Sequence, residues 1–270
     1  MSNNNSNKTS SLDLSNLFAS AVSAGTLSAQ TSTALLGGDL GEVVIAGAAG
    51  VAAENIVAAD VTLVTLLVDA SSSISGRSLQ QAVRDGQRQM LDAFDGSKQR
   101  DEILCALWTF NDTPTVVHSY LPVSDATRLD QSTYAPCGCT ALYDTWCDAL
   151  AANVAYAEQL RASGTPCRSV VVVITDGEDT SSRRRAGDCA RISSDLLASE
   201  QFVLAFVGVG NDADFRRVAR SMGVPDGCIE VQKKATPAAL RRVFQMVSQS
   251  TIRASQGLVA PGPAAGFFGP

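Results

Sequence analysis

Residues 169–175 read Ser-Val-Val-Val-Val-Ile-Thr, the most hydrophobic strand-like stretch of this 270-residue chain. After Ser169 every side chain is β-branched, which favours a strand, and the run does not alternate between apolar and polar residues. A strand that is apolar on both faces is typical of a parallel sheet covered by helices on both sides. Comparable runs occur at residues 61–69, 103–110 and 202–209. Together they predict an α/β fold with a doubly wound, mostly parallel sheet flanked by helices.

Helical periodicity fills the intervals between these strands. From Leu79 to Phe94, apolar residues recur every three or four positions and predict an amphipathic helix. Residues 141–161 carry a similar stripe, which includes Trp146 and Leu150 and predicts a long helix. The remaining predicted elements are helices at residues 189–199, 214–222 and 237–252, and short strands at residues 115–120 and 228–231.

The first 60 residues differ in composition from the rest of the chain. Residues 1–60 are dominated by Ala, Gly, Ser and Thr and predict an N-terminal extension outside the main domain. Residues 1–11 have a disordered composition. Residues 12–60 contain more Leu, Val and Ile, and we expect them to be partly ordered, with a helix at residues 12–29.

The main domain and a tail follow this extension. The strand-helix pattern places the main domain at residues 61–253. Residues 254–270 carry no charge and end in Phe267 and Phe268 followed by Gly and Pro. Because so short an uncharged segment offers little burial of its own, we expect it to form a flexible tail.

Composition argues against several classes of function. The net charge of −6 disfavours general binding of nucleic acid, whose phosphates require a basic face, and the run Arg183-Arg184-Arg185 is expected to be a solvated surface. No apolar stretch reaches the roughly 20 residues of a membrane span. The N-terminus lacks a secretory pattern, so we expect a cytoplasmic protein. Seven cysteines are expected to be reduced thiols, and the pair Cys137 and Cys139 is a weak metal signal.

Oxygen-bearing side chains follow two predicted strands and lie on one loop. Asp69, Ser71 and Ser73 come at alternate positions after the first strand, Asp176 follows the central strand, and Thr140 precedes the long helix. Open parallel sheets bind ligands beyond the carboxyl ends of their strands, where we expect these residues to converge. Their hard oxygen donors suit Mg²⁺, Mn²⁺ or Ca²⁺ and disfavour Zn²⁺. A shell rich in neutral hydroxyls leaves positive charge on the ion, which would attract a carboxylate.

The pattern Asp69-x-Ser71-x-Ser73 resembles the metal-ion-dependent adhesion site of von Willebrand factor A domains. Thr140 in GCTALYD and Asp176 in ITDGED match the two remaining positions of that site. The resemblance implies that Ser71 and Ser73 bind the metal directly, and that Thr140 does so directly or through water. It also implies that Asp69 and Asp176 act mainly through water. An Asp or Glu of a partner protein would complete the metal's shell.

The same resemblance bears on the biological setting. The short ITDGEDT loop and the intracellular character are similar to bacterial members of the family, including those of tellurite-resistance and stress operons. We therefore expect a metal-dependent protein–protein interaction module in a bacterial stress-response or macromolecular assembly system, and not an enzyme.

A nucleotide-binding α/β enzyme is the main alternative. Residues 42–50 can be interpreted as a strand followed by a glycine turn at Gly47 and Gly50, and Asp69 ends the next strand where a ribose-binding acid would lie. The turn has G-x-x-G but lacks the full G-x-G-x-x-G fingerprint. Hydrolase chemistry has less support, since the chain has no G-x-S-x-G sequence and its single histidine, His118, is expected to be structural.

Two further interpretations concern assembly and helix capping. A structural assembly subunit would dock neighbours, or a second copy of this chain, through the N-terminal extension. In the helix-capping interpretation, Ser73 and Thr140 do not bind a metal but are the N-cap residues of helices, a position that serine and threonine favour. Asp144 and Glu178 lie near the site in sequence, and we expect them to be structural or solvated.

Overall fold

A computed structural model describes residues 13–37 and 41–269 of the chain, so the predicted disorder of residues 1–11 lies outside the described residues. Its strands are β1 (Val61–Asp69), β2 (Ile103–Phe110), β3 (Pro114–Pro122), β4 (Cys167–Thr175), β5 (Phe202–Val209) and β6 (Ile229–Gln232). They form one six-stranded sheet in the order β3-β2-β1-β4-β5-β6.

The sheet is parallel except at one edge. β1 pairs with β2 and β4, β4 with β5, and β5 with β6, all in parallel, whereas β3 runs antiparallel to β2. β1, β2 and β5 are buried at every position, because both faces of the sheet are covered. The predicted α/β class with a doubly wound, mostly parallel sheet is confirmed.

Helices cover both faces of the sheet. They are α1 (Leu14–Ser23), α2 (Ala29–Gly37), α3 (Glu42–Gly47), α4 (Ser72–Gly76), α5 (Gln80–Asp95), α6 (Leu142–Ala162), α7 (Ala186–Ala198), α8 (Phe215–Ser221) and α9 (Pro237–Ser255). α5 packs along α9, which contacts β1, β4 and β5, whereas α6 contacts β1 and β4 and packs beside α7. Of the helices described, none is long and apolar enough to cross a membrane.

The N-terminal extension forms an additional layer over α6. Both α1 and α3 contact α6, and α2 contacts α7. Phe18 of α1 and Val44 of α3 have no exposed surface. Ser20 donates a 2.7 Å hydrogen bond to Glu158 of α6. Since α6 lies between this layer and the sheet, most of its residues are buried, including residues on the side that faces away from the strands.

The helix predicted at residues 12–29 ends earlier in the structure, and a second helix, which the sequence pattern did not predict, follows it. α1 ends at Ser23 and α2 begins at Ala29. Gly25 has φ +75°, a left-handed conformation that glycine adopts without steric cost, and the chain turns there. Ser28 then donates a 2.6 Å hydrogen bond to Asp195 of α7, which ties this turn to the main domain.

The strand proposed for the nucleotide-binding alternative is wrong. Residues 42–47 form helix α3, not a strand that ends in a phosphate-binding turn. A Cβ atom at Gly47 would lie 2.2 Å from Cζ2 of Trp108, and one at Gly50 would lie 2.5 Å from the ring of Tyr156. The two glycines therefore make room for aromatic side chains of the core. A glycine turn that binds phosphate was the main support for the nucleotide-binding hypothesis, and that support is lost.

The segment after α9 packs against the main domain. Phe267 has no exposed surface. Gly262 donates a 2.9 Å backbone hydrogen bond to Phe202 at the start of β5, and Phe268 donates one of 3.2 Å to Gly227. A flexible tail was expected at residues 254–270, and the segment is packed instead. The expectation rested on the absence of charged residues and did not include the burial of the Phe267 ring.

Candidate metal centre

The carboxyl ends of β1 and β4 lie side by side in the middle of the sheet. The chain connects β1 through β2 and β3 to one side and continues through β4, β5 and β6 on the other side, so the order of strands reverses between β1 and β4. Such a switch point leaves a crevice above the strand ends, where open α/β sheets bind ligands. Asp69 ends β1 and Asp176 directly follows β4.

Asp69 is buried and held by hydrogen bonds to both carboxylate oxygens. Its Oδ1 accepts a 2.8 Å hydrogen bond from the backbone N–H of Ser71, and its Oδ2 accepts one of 2.5 Å from the Thr175 hydroxyl. The Tyr134 hydroxyl donates a hydrogen bond to the carbonyl oxygen of Asp69. Burial raises the pKa of Asp69 to about 6 although the hydrogen bonds from Ser71 and Thr175 lower it, and the charge of nearby Asp176 raises it further.

Ser71, Ser73 and Asp176 form a chain of hydrogen bonds. The Ser73 hydroxyl donates to Oδ1 of Asp176 at 2.6 Å, and the hydroxyls of Ser71 and Ser73 are 2.9 Å apart. Since the Ser73 proton points to Asp176, Ser71 is the donor of the second bond. Burial raises the pKa of Asp176, against the lowering effect of Ser73 and Arg77. The predicted donors of two loops are therefore in direct contact.

Arg77 is a charged member of this cluster. Its Nη1 lies 2.6 Å from Oδ2 of Asp176, and its Nη2 lies 2.5 Å from Oδ2 of Asp212 in the loop between β5 and α8. The Asp176 side chain has no exposed surface, whereas the Asp212 side chain is 56% exposed. Arg77 therefore supplies positive charge to a carboxylate that has almost no access to water.

The loop of residues 137–141 brings Thr140 to the same place. Ser72 donates a 3.1 Å backbone hydrogen bond to the carbonyl of Gly138. Gly138 has φ +77°, and a Cβ atom there would lie 2.1 Å from Oδ2 of Asp112, so this tight turn requires glycine. Thr140 is buried, and its hydroxyl oxygen would lie 3.6 Å from a Cβ atom at Gly177. The loop of Thr140 thus lies against the loops that follow β1 and β4.

The helix-capping interpretation does not fit these positions. Ser73 lies inside α4, whose N-cap position is Ser71, and Ser71 makes no side-chain capping bond. The N-cap position of α6 is Ala141, not Thr140, and it also lacks a capping bond. The hydroxyls of Ser73 and Thr140 are therefore not used to start helices.

The charged residues near the site have mainly structural contacts. Asp144 accepts backbone hydrogen bonds from Arg183 at 2.9 Å and from Arg184 at 3.0 Å. Arg184 is half-buried and forms a 2.7 Å ion pair with Asp148, so the expectation of a solvated surface holds for Arg183 and Arg185 but not for Arg184. Glu178 pairs with Arg217 at 3.2 Å.

His118 lies within β3, which supports the structural role expected for it. Its Nδ1 is 2.7 Å from the carbonyl oxygen of Ser119, and burial lowers its pKa. A histidine that is held against the backbone of its own strand is poorly placed to activate a serine nucleophile.

The oxygen donors of the cluster fit a hard divalent cation. Hydroxyls and a carboxylate from two loops lie within hydrogen-bond distance of one another, the Thr140 hydroxyl lies close to Gly177, and none of these donors is nitrogen or sulfur. In the part of the chain that the structure describes, no three His, Cys, Asp or Glu side chains come together as a metal-binding group. A metal held here would therefore depend on serine and threonine hydroxyls, and on solvent, for much of its coordination.

Sequence reasoning did not single out Thr175, Tyr134 or Arg77. Thr175 directly precedes Asp176, so a search for hydroxyls beside strand-terminal acids would have found it. Tyr134 and Arg77 gave no such signal, because their contacts with Asp69 and Asp176 depend on the path of loops that only the fold defines.

Comparison with solved structures shows the same fold in a byssus matrix protein, a pilus adhesin and a minor pilin. Proximal thread matrix protein 1 from the mussel byssus is 20% identical with a TM-score of 0.53, and the match covers 72% of this chain and 47% of that one. The pilus adhesin SpaC from Lactobacillus rhamnosus GG is 13% identical with a TM-score of 0.55, covering 72% and 31%. The PilB minor pilin from Streptococcus sanguinis is 11% identical with a TM-score of 0.51, covering 75% and 63%.

These likenesses concern the fold alone, since each match spans less than two thirds of the solved chain at low identity. No curated protein matches the chain. The sequence profile of the von Willebrand factor type A domain matches residues 64–241, well over half of the chain. Domains of this family commonly mediate metal-dependent protein interactions. With its fold, its strand-end acids and this match, the chain belongs to the von Willebrand factor type A domain family.

Proposed function

We propose that this protein is a metal-dependent protein-binding module and not an enzyme. Asp69, Ser71, Ser73, Thr140 and Asp176 hold Mg²⁺, or Mn²⁺ or Ca²⁺ in its place, and an Asp or Glu of a partner protein binds to the ion. The observation that carries the proposal is the hydrogen-bonded chain from Ser71 through Ser73 to Asp176, beside the buried Asp69 at the switch point of the sheet.

The contacts of each residue support different roles. Both oxygens of Asp69 already accept hydrogen bonds, from Ser71 and Thr175, which favours action through water rather than direct ligation. Ser71 donates one hydrogen bond to Ser73, and both hydroxyl oxygens can bind a cation once the Ser71 proton turns away from Ser73. When bound, the ion supplies a positive charge with exchangeable positions for an incoming oxygen.

Charge favours an acidic partner. A bound divalent ion and Arg77 together balance the carboxylates of Asp69, Asp176 and Asp212, so a carboxylate that enters the shell of the ion meets no net negative charge. Arg183 and Arg185 are exposed on the neighbouring loop and add long-range attraction for an acidic surface. The direct carboxylate contact lies at the centre of the proposed interface, whereas the two arginines lie at its rim.

The proposed setting follows the sequence resemblance: a cytoplasmic stress-response or assembly system of a bacterium. Docking of neighbours through the N-terminal extension is the less favoured function. Phe18 and Val44 of that extension are fully buried, so these apolar side chains are not available to a neighbour. The proposed partner surface is instead the one around the metal.

Calorimetric titration with Mg²⁺ and Mn²⁺ tests the metal site. Ser73→Ala should remove most of the binding, because it deletes a proposed direct ligand. Ser75→Ala is the matched control: it lies in the same short helix, and its hydroxyl bonds only to the Ser72 carbonyl. Equal affinities in the wild type and both variants, or no binding by the wild-type protein, would refute the assignment.

Partner binding is tested by affinity purification from a native host lysate with Mg²⁺ or with EDTA. A genuine partner should be retained with Mg²⁺, lost in EDTA, and recovered when Mg²⁺ is restored. It should also be lost with the Ser73→Ala protein and kept with the Ser75→Ala protein. A partner retained equally with and without metal would leave the family assignment intact and remove this mechanism.

A further inference from the structure

We propose that Arg77 is a built-in competitor of the metal: its guanidinium neutralises Asp176 in the metal-free protein and thereby lowers the affinity of the site for a divalent cation. The inference rests on the proposed metal-binding function and adds a residue outside the five positions assigned there. Arg77 acts through Asp176, so it is a positioning residue and not a ligand.

The backbone directs Arg77 toward the site. Arg77 is the C-cap residue of α4, and its backbone N–H donates a 3.1 Å hydrogen bond to the Ser73 carbonyl. The next residue, Ser78, has φ 55°, a left-handed conformation that residues other than glycine seldom adopt. After this sharp turn the chain enters α5, and Arg77 lies beside Asp176 at the carboxyl end of β4.

The ion pair is shielded on the carboxylate side. Oδ2 of Asp176 lies 2.6 Å from Arg77, and Oδ1 accepts the Ser73 hydrogen bond, so both oxygens have partners. The Asp176 side chain has no exposed surface, and that of Arg77 is only 30% exposed. Such a pair is screened less by solvent and salt than a surface ion pair. A cation that approaches Ser73 meets the positive charge of Arg77 across one carboxylate.

Asp212 gives Arg77 a second anionic partner. When a metal takes up the charge of Asp176, the guanidinium can keep its contact with Asp212, which it already makes at 2.5 Å. Gly210 leaves space for this arrangement, since a Cβ atom there would lie 3.2 Å from Oδ2 of Asp212 and 3.8 Å from Nη1 of Arg77. Metal binding is thereby linked to the loop between β5 and α8.

The test compares Mg²⁺ affinities of Arg77→Gln, Arg77→Lys and Arg217→Gln with that of the wild type by calorimetry. Arg217→Gln is the matched control, because it removes the same charge from an exposed arginine that pairs with Glu178 near the site. We expect Arg77→Gln to bind Mg²⁺ about ten-fold more tightly, equivalent to about 1.4 kcal/mol, and to keep this gain at high salt. Arg217→Gln should show a smaller gain that disappears with salt. Arg77→Lys should restore most of the wild-type affinity.

A second readout uses the wild-type protein, in case Arg77→Gln does not fold without metal. In NMR spectra, Mg²⁺ should shift the Nε–H signal of Arg77 and leave that of Arg217 nearly unchanged. An Arg77→Gln affinity equal to or weaker than the wild type overturns the inference, as does an unchanged Arg77 signal at saturating Mg²⁺. Absence of any binding by the wild type would instead refute the proposed function and this inference with it.

Discussion

Thr175 donates a 2.5 Å hydrogen bond to Oδ2 of Asp69, which lies 106 residues earlier in the chain. The contact joins the carboxyl ends of β4 and β1, the two strands on either side of the switch point. The Thr175 hydroxyl also accepts a 3.1 Å hydrogen bond from the backbone of Gly177 and lies 3.0 Å from the Gly177 carbonyl. One side chain therefore fixes both a proposed metal-site carboxylate and the loop that follows Asp176.

Replacing Thr175 with valine tests this connection. Thr175→Val keeps the size of the side chain but leaves Asp69 without one of its donors, so the free energy of unfolding should fall by about 1–3 kcal/mol. Mg²⁺ affinity should fall as well, because Asp69 loses its orientation. Thr175→Ser keeps the hydroxyl and is the control. Urea unfolding and calorimetry measure the two effects, and a valine variant that matches the serine variant in both would contradict the assigned role.

The pKa of Asp69 predicts how stability depends on pH. Burial raises this pKa from its ordinary value of 3.8 to about 6, so the metal-free folded state favours the protonated carboxyl. That stabilisation is complete below about pH 4 and is lost as the pH rises through 6, by about 3 kcal/mol in total. The raised pKa of Asp176 acts in the same direction.

Chemical denaturation of the metal-free protein between pH 4 and 7 should show this decline. Saturating Mg²⁺ should oppose it, because the cation favours the ionised carboxylates and protons compete with the metal below pH 6. Asp69→Asn does not titrate and should flatten most of the decline. If the Asn variant follows the same curve as the wild type, Asp69 is not the group responsible.

Much of the fold could be predicted because long apolar runs leave few alternatives. The strand predicted at residues 61–69 is β1 as observed, and that at residues 202–209 is β5. Residues 42–47 misled the nucleotide-binding hypothesis, because a short apolar run does not distinguish a strand from a buried helix. The helix predicted at residues 12–29 ends early for a local reason, the turn at Gly25.

The site could be predicted in part, for a different reason. Asp69 and Asp176 are at strand ends, and a parallel sheet brings the ends of adjacent strands together. The sequence does not say that β1 and β4 are neighbours, and so it could not show that Thr175 would contact Asp69. The ion pair between Arg77 and Asp176 likewise depends on tertiary packing.

The extension should contribute to the stability of the main domain. Phe18 of α1 is fully buried, so Phe18→Ala should lower the free energy of unfolding by about 3–5 kcal/mol. Leu36→Ala is the control, because Leu36 is 40% exposed and its truncation should change stability by about 0.5 kcal/mol or less. Urea denaturation of the full chain measures both. Similar small effects would mean that the extension is only loosely attached.

The C-terminal segment should resist proteolysis in the isolated protein. Phe267 is buried, and Arg253 of α9 donates a 2.6 Å hydrogen bond to the carbonyl of Gly269, which holds the end of the segment. Phe267→Ala should therefore expose residues 256–269 to limited digestion. Leu258→Ala alters a side chain that is 65% exposed and should leave the digestion rate unchanged. Rapid loss of the segment from the wild type would support the flexible tail expected from composition.

We expect the Thr140 hydroxyl to contribute more to partner binding than to metal binding. Its backbone is anchored independently of its hydroxyl: its N–H donates a 2.9 Å hydrogen bond to the Thr180 hydroxyl, and its carbonyl accepts one of 2.9 Å from the Thr180 backbone. Thr140→Ala should therefore leave the loop in place and remove only one oxygen from the site. The resemblance links this hydroxyl to the partner-competent state of the metal, so partner binding should suffer more than metal binding.

We expect Thr140→Ala to lower Mg²⁺ affinity by less than about five-fold, and chelator-sensitive binding of the partner by more than about ten-fold, or 1.4 kcal/mol. Thr140→Ser retains the hydroxyl and should behave like the wild type in both measurements. Calorimetry with Mg²⁺ and a binding titration with the purified partner give the two numbers on the same protein samples. Equal losses in the two titrations would mean that Thr140 serves the metal alone, and the partner's carboxylate would then have to be oriented by other residues of the rim.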